Sequence, residues 1–499
     1  MTEKTDRLET LMGKSSVQFG TSGARGLVKD MTDEVCYVYT AAFIQYLEDV
    51  GELSGKGTIA IGGDLRPSTD RIMRAVAKAV ADRMYTPENC GTLPTPALAY
   101  HGLIHKIPTV MVTGSHIPVE RNGIKYTKKE GEILKHDEIG MKRQSVTFPR
   151  RLFDDQGMLT DEVELPPPRN DAVDAYINRY VHFFGNDCLS GKKIGVYQHS
   201  AVGRELMVTI LSRLGADVTP LGFSDTFIPV DTEAIRPEDV ESGTMWAGKH
   251  EFDAVVSTDG DSDRPLISDE CGRWLRGDLA GILCADYFDA DAVVTTVSCN
   301  TAVEKSGLFE TVIRTKIGSP FVIEGMQRAR AMGARCVVGY EANGGFLIGS
   351  DIDRNGKILK ALPTRDAVVV HIAILLLATE RKRTISELAS GLPQRYTVSN
   401  RLKDFPTERS KAKIAELSTG DEKKDAKAIE DVFGPQFGKV AGVNATDGLR
   451  ITFDNDENIH LRPSGNAPEF RCYTEADTES RAGEINNICM DIMDTWRKP

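Results

Sequence analysis

Short apolar, β-branched runs recur along the chain, and each gives way to a turn rich in glycine or carboxylate. Thr58-Ile-Ala-Ile61 leads into Gly62-Gly-Asp64, Thr109-Val-Met-Val112 into Thr113-Gly-Ser115, and Ala254-Val-Val256 into a dense acidic segment. Ile194-Gly-Val-Tyr197 is followed by helical spacing of apolar residues over 203–214. Further apolar runs at 292–297 and 336–338 complete the series. A short, continuous apolar run bounded by turn signals predicts a strand buried on both faces. Strands alternating with helices predict βαβ units and α/β domains with mainly parallel mixed sheets, with ligands beyond the carboxyl ends of the strands. The last part of the chain reads differently. Residues 449–453 and 459–462 flank the turn Asp454-Asn-Asp-Glu-Asn458, which predicts a hairpin, and a helix is expected over about 478–497, making an α+β block.

Punctuation divides the chain into four expected domains. The sharpest seam is Leu165-Pro-Pro-Pro-Arg169, because successive prolines favour an extended stretch and stop a helix. Softer seams follow the turn Asp269-Glu-Cys-Gly272 and fall near Gly391-Leu-Pro-Gln-Arg395. The expected blocks are 1–165, 166–276, 277–393 and 394–499, in keeping with three or four domains for 499 residues.

Composition narrows the function classes. Lys and Arg number 61 against 73 Asp and Glu, a net charge of −12, which argues against a general nucleic-acid binder. An anionic substrate would need a local basic cleft. The longest apolar run, 368–378, is broken by His371 and falls well short of the ~18 residues a membrane span needs. The opening Met1-Thr-Glu-Lys-Thr-Asp has no apolar signal core, so a cytoplasmic protein without a membrane partner is the expectation. Nine scattered cysteines include no Cys-x-x-Cys pair, and reduced thiols are expected.

Three turns carry candidate chemistry. In Val112-Thr-Gly-Ser-His-Ile-Pro118, Ser115 sits on a tight turn after a strand, where a hydroxyl can face a cleft. In Ser257-Thr-Asp-Gly-Asp-Ser-Asp-Arg-Pro265, Asp259, Asp261 and Asp263 crowd together, and close carboxylates call for a cation. Hard oxygen ligands suit Mg²⁺ or Ca²⁺. An EF-hand would need glycine at its sixth position, where Arg264 stands. In Leu461-Arg-Pro-Ser-Gly-Asn-Ala-Pro-Glu-Phe-Arg471, Arg462 and Arg471 offer forked donors to phosphate, Ser464 a hydroxyl, and Gly465 a backbone anion nest. Two weaker signals are Gly20-Thr-Ser-Gly-Ala-Arg25-Gly and Gly339-Tyr-Glu-Ala-Asn-Gly-Gly345, where Glu341 and Asn343 could grip sugar hydroxyls.

The order of these segments resembles the α-D-phosphohexomutase superfamily, the phosphoglucomutase/phosphomannomutase group, over nearly the whole chain from Phe19 to Glu475. Phe19-Gly-Thr-Ser-Gly-Ala-Arg-Gly26 resembles the family's opening, and Thr113–Pro118 with Asn122-Gly-Ile-Lys125 resembles its phosphoserine loop. Asp259-Gly-Asp-Ser-Asp-Arg264 resembles the metal loop, Gly339–Gly345 the sugar loop, and Arg462-Pro-Ser-Gly465 with Arg471-Cys-Tyr-Thr-Glu475 the C-terminal phosphate loop.

The resemblance implies four domains around a central cleft, three related α/β units and a C-terminal α+β domain. It implies reversible movement of phosphate between O1 and O6 of a hexose, mannose favoured, with glucose or N-acetylglucosamine as alternatives. Ser115 would be a standing phosphoserine, joined to Mg²⁺ held by Asp259, Asp261 and Asp263, with hexose 1,6-bisphosphate as activator. Arg25 would stabilise developing charge, and either His116 or Lys125 would shuttle a proton. Arg264, Glu341, Asn343, Arg462, Ser464, Gly465, Asn466 and Arg471 would bind the sugar phosphate. Small sugar phosphates are the implied partners, for a monomer or homodimer.

The sequence departs from the family pattern in three places. Ile117 stands where the family has Asn, Asn466 and Ala467 replace Thr and Glu of the phosphate loop, and the sugar loop reads YEANGG where bacterial members commonly read GE-x-S-G-H. These changes bear on the sugar more than on the reaction. Two rivals are an aspartyl phosphatase built on Asp259-Gly-Asp261 and a sugar-phosphate-binding protein that has lost catalysis.

Overall fold

The computed structural model describes residues 3–20, 23–464 and 468–497. The chain forms two compact units, one from residues 1–291 and 318–389, the other from 292–317 and 390–499.

The first unit is built on two mixed sheets. The larger runs in the order Gln18–Phe19, Ala24–Leu27, Arg121–Lys128, Thr109–Val112, Thr58–Gly63, Thr86–Thr92. Thr58–Gly63 lies parallel to both Thr86–Thr92 and Thr109–Val112, whereas Arg121–Lys128 returns antiparallel. Ile59, Ala60 and Ile61 are wholly buried, as a run without polar alternation requires. The second sheet is Asp217–Phe223, Lys193–His199, Ala254–Thr258, Pro265–Ile267, parallel except for its last strand. The helical spacing at 203–214 forms the helix Arg204–Arg213, whose Leu206, Met207, Ile210 and Leu211 are buried. The apolar run at 368–378 lies inside the helix Ala367–Arg381 and is buried along its whole length. Burial holds His371 neutral there, with its pKa pushed down to about 3.

The second unit pairs the parallel strands Ala292–Thr296 and Thr311–Thr315 and holds an all-antiparallel sheet. That sheet runs Tyr396–Leu402, Phe470–Ala476, Asn458–Pro463, Leu449–Phe453, Val440–Asn444. The expected hairpin is Leu449–Phe453 against Asn458–Pro463, in a register that sets Leu449 beside Leu461. The expected final helix is Glu479–Thr495, capped by the Thr478 side chain on the Arg481 amide. The two segments of this unit are joined through Glu475, which is buried. It accepts from the Thr301 amide (2.8 Å), Arg395 Nε (2.7 Å) and an Arg450 guanidinium nitrogen (3.0 Å). Arg450 also donates to the Val297 carbonyl, and Asp447 accepts from the Ile317 amide.

All nine cysteines are free thiols. Among the described residues no helix is long and apolar enough to cross a membrane.

Candidate active site

The strand Thr109–Val112 delivers the turn that carries Ser115. Asp64, at the carboxyl end of the neighbouring strand, accepts from Thr113 Oγ1 at 2.7 Å and from the Gly114 amide at 3.3 Å. Ser115 is buried and stands at φ +57°, a left-handed conformation that costs a side chain with a Cβ. Gly114 is required for space: a Cβ there would lie 2.6 Å from the Arg66 guanidinium carbon. The turn thus aims the Ser115 hydroxyl out of the sheet, and Oγ donates to Asp259 Oδ2 at 2.5 Å. His116 Nδ1 is 3.3 Å from the same Oγ.

The acid loop follows the strand Ala254–Thr258. Asp259, Asp261 and Asp263 are all fully buried, and each places an oxygen within 4.8 Å of the others. Gly260 lets this loop press on the serine turn, since a Cβ there would be 2.6 Å from the Ser115 carbonyl oxygen. Lys125, on the strand Arg121–Lys128, donates to Oδ2 of both Asp261 and Asp263 at 2.6 Å. Thr95 adds its hydroxyl to Asp261 Oδ2 and its amide to the Asp261 carbonyl. Oδ1 of Asp261 and of Asp263 stays without a hydrogen-bond partner although buried. Burial and the two neighbouring carboxylates hold the Asp259 carboxyl well above its ordinary range. Burial would raise Asp261 too, but the Lys125 ammonium outweighs it and holds that carboxyl low.

Cations surround the acid loop. Arg25 is pushed down to about 10 by burial and by Arg264 and Arg365 nearby. Arg264 Nε stands 3.9 Å from Asp259 and 3.8 Å from Asp263, beyond hydrogen-bond reach. Burial, then the charges of Arg264 and Arg25, hold His116 well below its usual pKa, so the imidazole is neutral. The loop 341–345 closes this side. Glu341 and Asn343 are both buried, the Thr232 hydroxyl donates to the Asn343 carbonyl at 2.6 Å, and Asn343 Oδ1 accepts from the Gly345 amide at 2.9 Å. The carbonyl end of the Asn343 side chain is therefore occupied by its own loop.

The arginine loop belongs to the second unit. Arg462 and Arg471 face each other directly across antiparallel strands. Like charges so placed repel unless an anion joins them. Arg462 Nε donates to Asp447 Oδ2 at 3.0 Å, and Arg471 reaches Glu469 at 3.4 Å. Ser464 is buried, while Gly465 and Asn466 lie outside the described residues.

Family models agree with this arrangement in order along the chain. Phosphoglucomutase/phosphomannomutase alpha/beta/alpha domains I, II and III match residues 16–143, 174–272 and 276–396, and the C-terminal domain matches 412–492. The chain belongs to the phosphoglucomutase/phosphomannomutase family. It is 44% identical over 475 residues to a phosphomannomutase of Salmonella muenchen, covering 95% of each protein. It is 42% identical to a phosphomannomutase of Sinorhizobium fredii, covering 94% of this chain and 97% of that one. In fold it is similar to the crystal structure of a putative phosphomannomutase from Thermus thermophilus, with a TM-score of 0.73, 19% identity and coverage of 96% and 99%.

For this phosphoglucomutase/phosphomannomutase family member the acid loop passes a test of fit for a hard cation. Its donors are carboxylate oxygens, two of them are buried and unpartnered, and Asp259, which Lys125 does not reach, is held above its ordinary range by burial and by its two neighbours. Sequence reasoning missed three residues that complete the site: Thr95, Arg66 and Arg365. Arg66 is buried and donates to the carbonyls of Ser115, Ile117, Pro118 and Arg121, while its Nε donates to Asp64 at 3.2 Å. The only sequence signal is Asp64-Leu-Arg66 following a buried strand, and that pattern is common.

Proposed function

We propose that this enzyme is a phosphomannomutase that interconverts mannose 1-phosphate and mannose 6-phosphate through a phosphate carried on Ser115. The observation that carries the reading is the Ser115 hydroxyl, 2.5 Å from Asp259, on a carboxylate triad already bridged by Lys125. The identity of 44% to a phosphomannomutase over most of both chains supports the choice of sugar.

In the forward direction the O6 hydroxyl of mannose 1-phosphate attacks the phosphorus on Ser115. A P–O6 bond forms, the P–Oγ bond breaks, and the hydroxyl proton passes to Ser115 Oγ. Neutral His116, with Nδ1 3.3 Å from Oγ, is placed to relay that proton. Lys125 is a less suitable base while its ammonium lies between Asp261 and Asp263. The product is mannose 1,6-bisphosphate. After the sugar exchanges ends, Ser115 Oγ attacks the phosphorus on O1, its proton passes to O1, and mannose 6-phosphate leaves with the enzyme phosphorylated again. Asp259, Asp261 and Asp263 would hold Mg²⁺, which supplies charge neutralisation on the transferring phosphoryl group. Arg25 and Arg264 contribute positive charge to the same region, where positioning and electrostatics carry most of the catalysis. Glu341 and Asn343 are the proposed sugar contacts. Arg462, Ser464, Asn466 and Arg471 are the proposed grip on the distal phosphate, which helps orient the reacting end.

The test is ³¹P NMR of the protein with Mg²⁺, a trace of hexose 1,6-bisphosphate and, in separate tubes, the 1-phosphates of mannose, glucose and N-acetylglucosamine. Fastest conversion of the mannose compound to its 6-phosphate is expected. Release of free phosphate would point instead to a phosphatase, and preference for another sugar would overturn the substrate assignment.

A further inference from the structure

The segment Leu362-Pro-Thr-Arg-Asp366 enters the helix Ala367–Arg381 and is pinned on three sides. Leu362 exchanges backbone hydrogen bonds with Ile348, and Thr364 Oγ1 donates to Glu132 at 2.6 Å. Asp366, fully buried, accepts from the hydroxyls of Tyr176 (2.7 Å) and Tyr180, and its amide donates to the Phe346 carbonyl at 2.9 Å. Arg365, held between these anchors, is 2% exposed. Its guanidinium joins two loops: Nε and one terminal nitrogen lie 3.0 and 2.9 Å from Asp263 Oδ2, and the other terminal nitrogen donates to Glu341 Oε1 at 3.2 Å.

Gly345 makes room for this bridge. A Cβ at that position would stand 2.4 Å from Arg365 Cδ and 2.7 Å from Cγ. Gly345 is not among the residues at positive φ, so the glycine is needed for space and not for backbone conformation. The arginine stem occupies the volume that any side chain at 345 would take, and its head is tied down by two carboxylates, so it cannot swing aside without breaking ion pairs that are buried.

We propose that Arg365 is a positioning residue that couples the acid loop to the sugar loop, fixing the Glu341 carboxylate for the sugar while drawing charge from Asp263. This rests on the mutase reading for its sugar half. The metal half follows from geometry alone, because Arg365 occupies Asp263 Oδ2 and Oδ1 of the same carboxylate remains unpartnered.

The test uses Arg365→Met, Arg365→Lys and Gly345→Ala, with two readouts. One is kcat and KM for mannose 1-phosphate; the other is the Kd for Mn²⁺, measured by electron paramagnetic resonance without sugar. Arg365→Met should raise KM by about tenfold or more, since Glu341 loses its fixed orientation. It should also bind Mn²⁺ several-fold more tightly, because a competing positive charge has gone while Lys125 still orients Asp263. Arg365→Lys keeps the charge but not the fork, so Mn²⁺ affinity should stay near wild type while KM stays raised. Gly345→Ala should raise KM with Arg365 still present, and it carries the test if Arg365→Met fails to fold. KM within twofold of wild type in both Arg365→Met and Gly345→Ala would overturn the proposal, as would weaker Mn²⁺ binding in a folded Arg365→Met protein. A wild-type protein that converts none of the 1-phosphates of mannose, glucose and N-acetylglucosamine would instead refute the mutase reading, and the Mn²⁺ readout would still decide the metal half.

Discussion

Arg66→Lys separates the holding of the serine turn from the chemistry on it. In the native protein the Arg66 guanidinium donates to the carbonyls of Ser115 (2.8 Å), Ile117 (2.5 Å), Pro118 (2.8 Å) and Arg121 (2.9 Å), and its face packs on the Phe227 ring at 4.1 Å. A lysine keeps a positive charge beside Asp64 but presents a single nitrogen with three N–H bonds, so with one N–H on Asp64 it serves at most two of the four carbonyls. The Pro118 carbonyl keeps the Arg121 amide as a donor, so one or two buried acceptors are left unsatisfied, at about 1–3 kcal/mol each, a loss of roughly 3 kcal/mol. It falls on a turn that is already strained, because Ser115 keeps φ +57° only while its surroundings enforce it. Relaxation of the turn moves Oγ off Asp259, and a displacement of about 1 Å lowers kcat on the order of 100-fold. The assay is steady-state turnover of mannose 1-phosphate, paired with urea unfolding to measure the stability loss directly. A folded Arg66→Lys protein with kcat within threefold of wild type would refute the reasoning.

Ser115→Ala should reduce turnover by at least about 10³-fold while leaving the melting temperature near wild type, and phosphoprotein mass spectrometry should find no phosphate on the variant. Arg462→Ala should raise KM for the sugar phosphate about tenfold with a smaller change in kcat; an unchanged KM would remove Arg462 from the phosphate grip. His371 is buried neutral, so the unfolded chain binds a proton there that the native state does not. Stability from this group is complete above the ordinary histidine range and is lost as pH falls below about 6.5, at up to roughly 1.4 kcal/mol per pH unit. His371→Leu should flatten the fall of the urea midpoint between about pH 6.5 and 5, and an unchanged slope would contradict the assignment.

Much of the site is legible in the sequence for a physical reason. Ser115 and the three aspartates each follow an apolar run, and a chain that leaves a buried strand places its next residues beyond the carboxyl end of the sheet, where the polar turns of neighbouring strands converge. The hairpin at 449–463 is visible because its two alternating stretches are close in sequence. Arg66 and Arg365 are invisible by the same logic. Arg66 acts on Ser115 from 49 residues away, and Arg365 acts on Asp263 across 102. Neither sits in a pattern that announces what will approach it. Asn343 shows a subtler limit: its residue type suits a sugar hydroxyl, yet its side-chain carbonyl is bound to the Gly345 amide, and only the folded loop reveals that. The proline seam at 165–169 falls in a stretch, 162–170, that forms neither helix nor strand. The return of residues 318–389 to the first unit has no such mark, because it depends on which surfaces match and not on local periodicity.

The interleaving of the two units has a consequence for synthesis on the ribosome. Residues 292–317 emerge long before Asp447 and Glu475, which accept from the Ile317 and Thr301 amides, and before Arg450, which donates to the Val297 carbonyl. At about 5–20 residues per second, the roughly 160 residues between 317 and 475 take on the order of ten to thirty seconds to appear. For that interval the strands Ala292–Thr296 and Thr311–Thr315, already paired with each other, wait for the rest of the 390–499 segment that completes their unit. A nascent chain halted before Glu475 therefore carries an unfinished surface in its middle as well as at its growing end, and chaperone capture or proteolytic cutting of stalled chains should concentrate at 292–317.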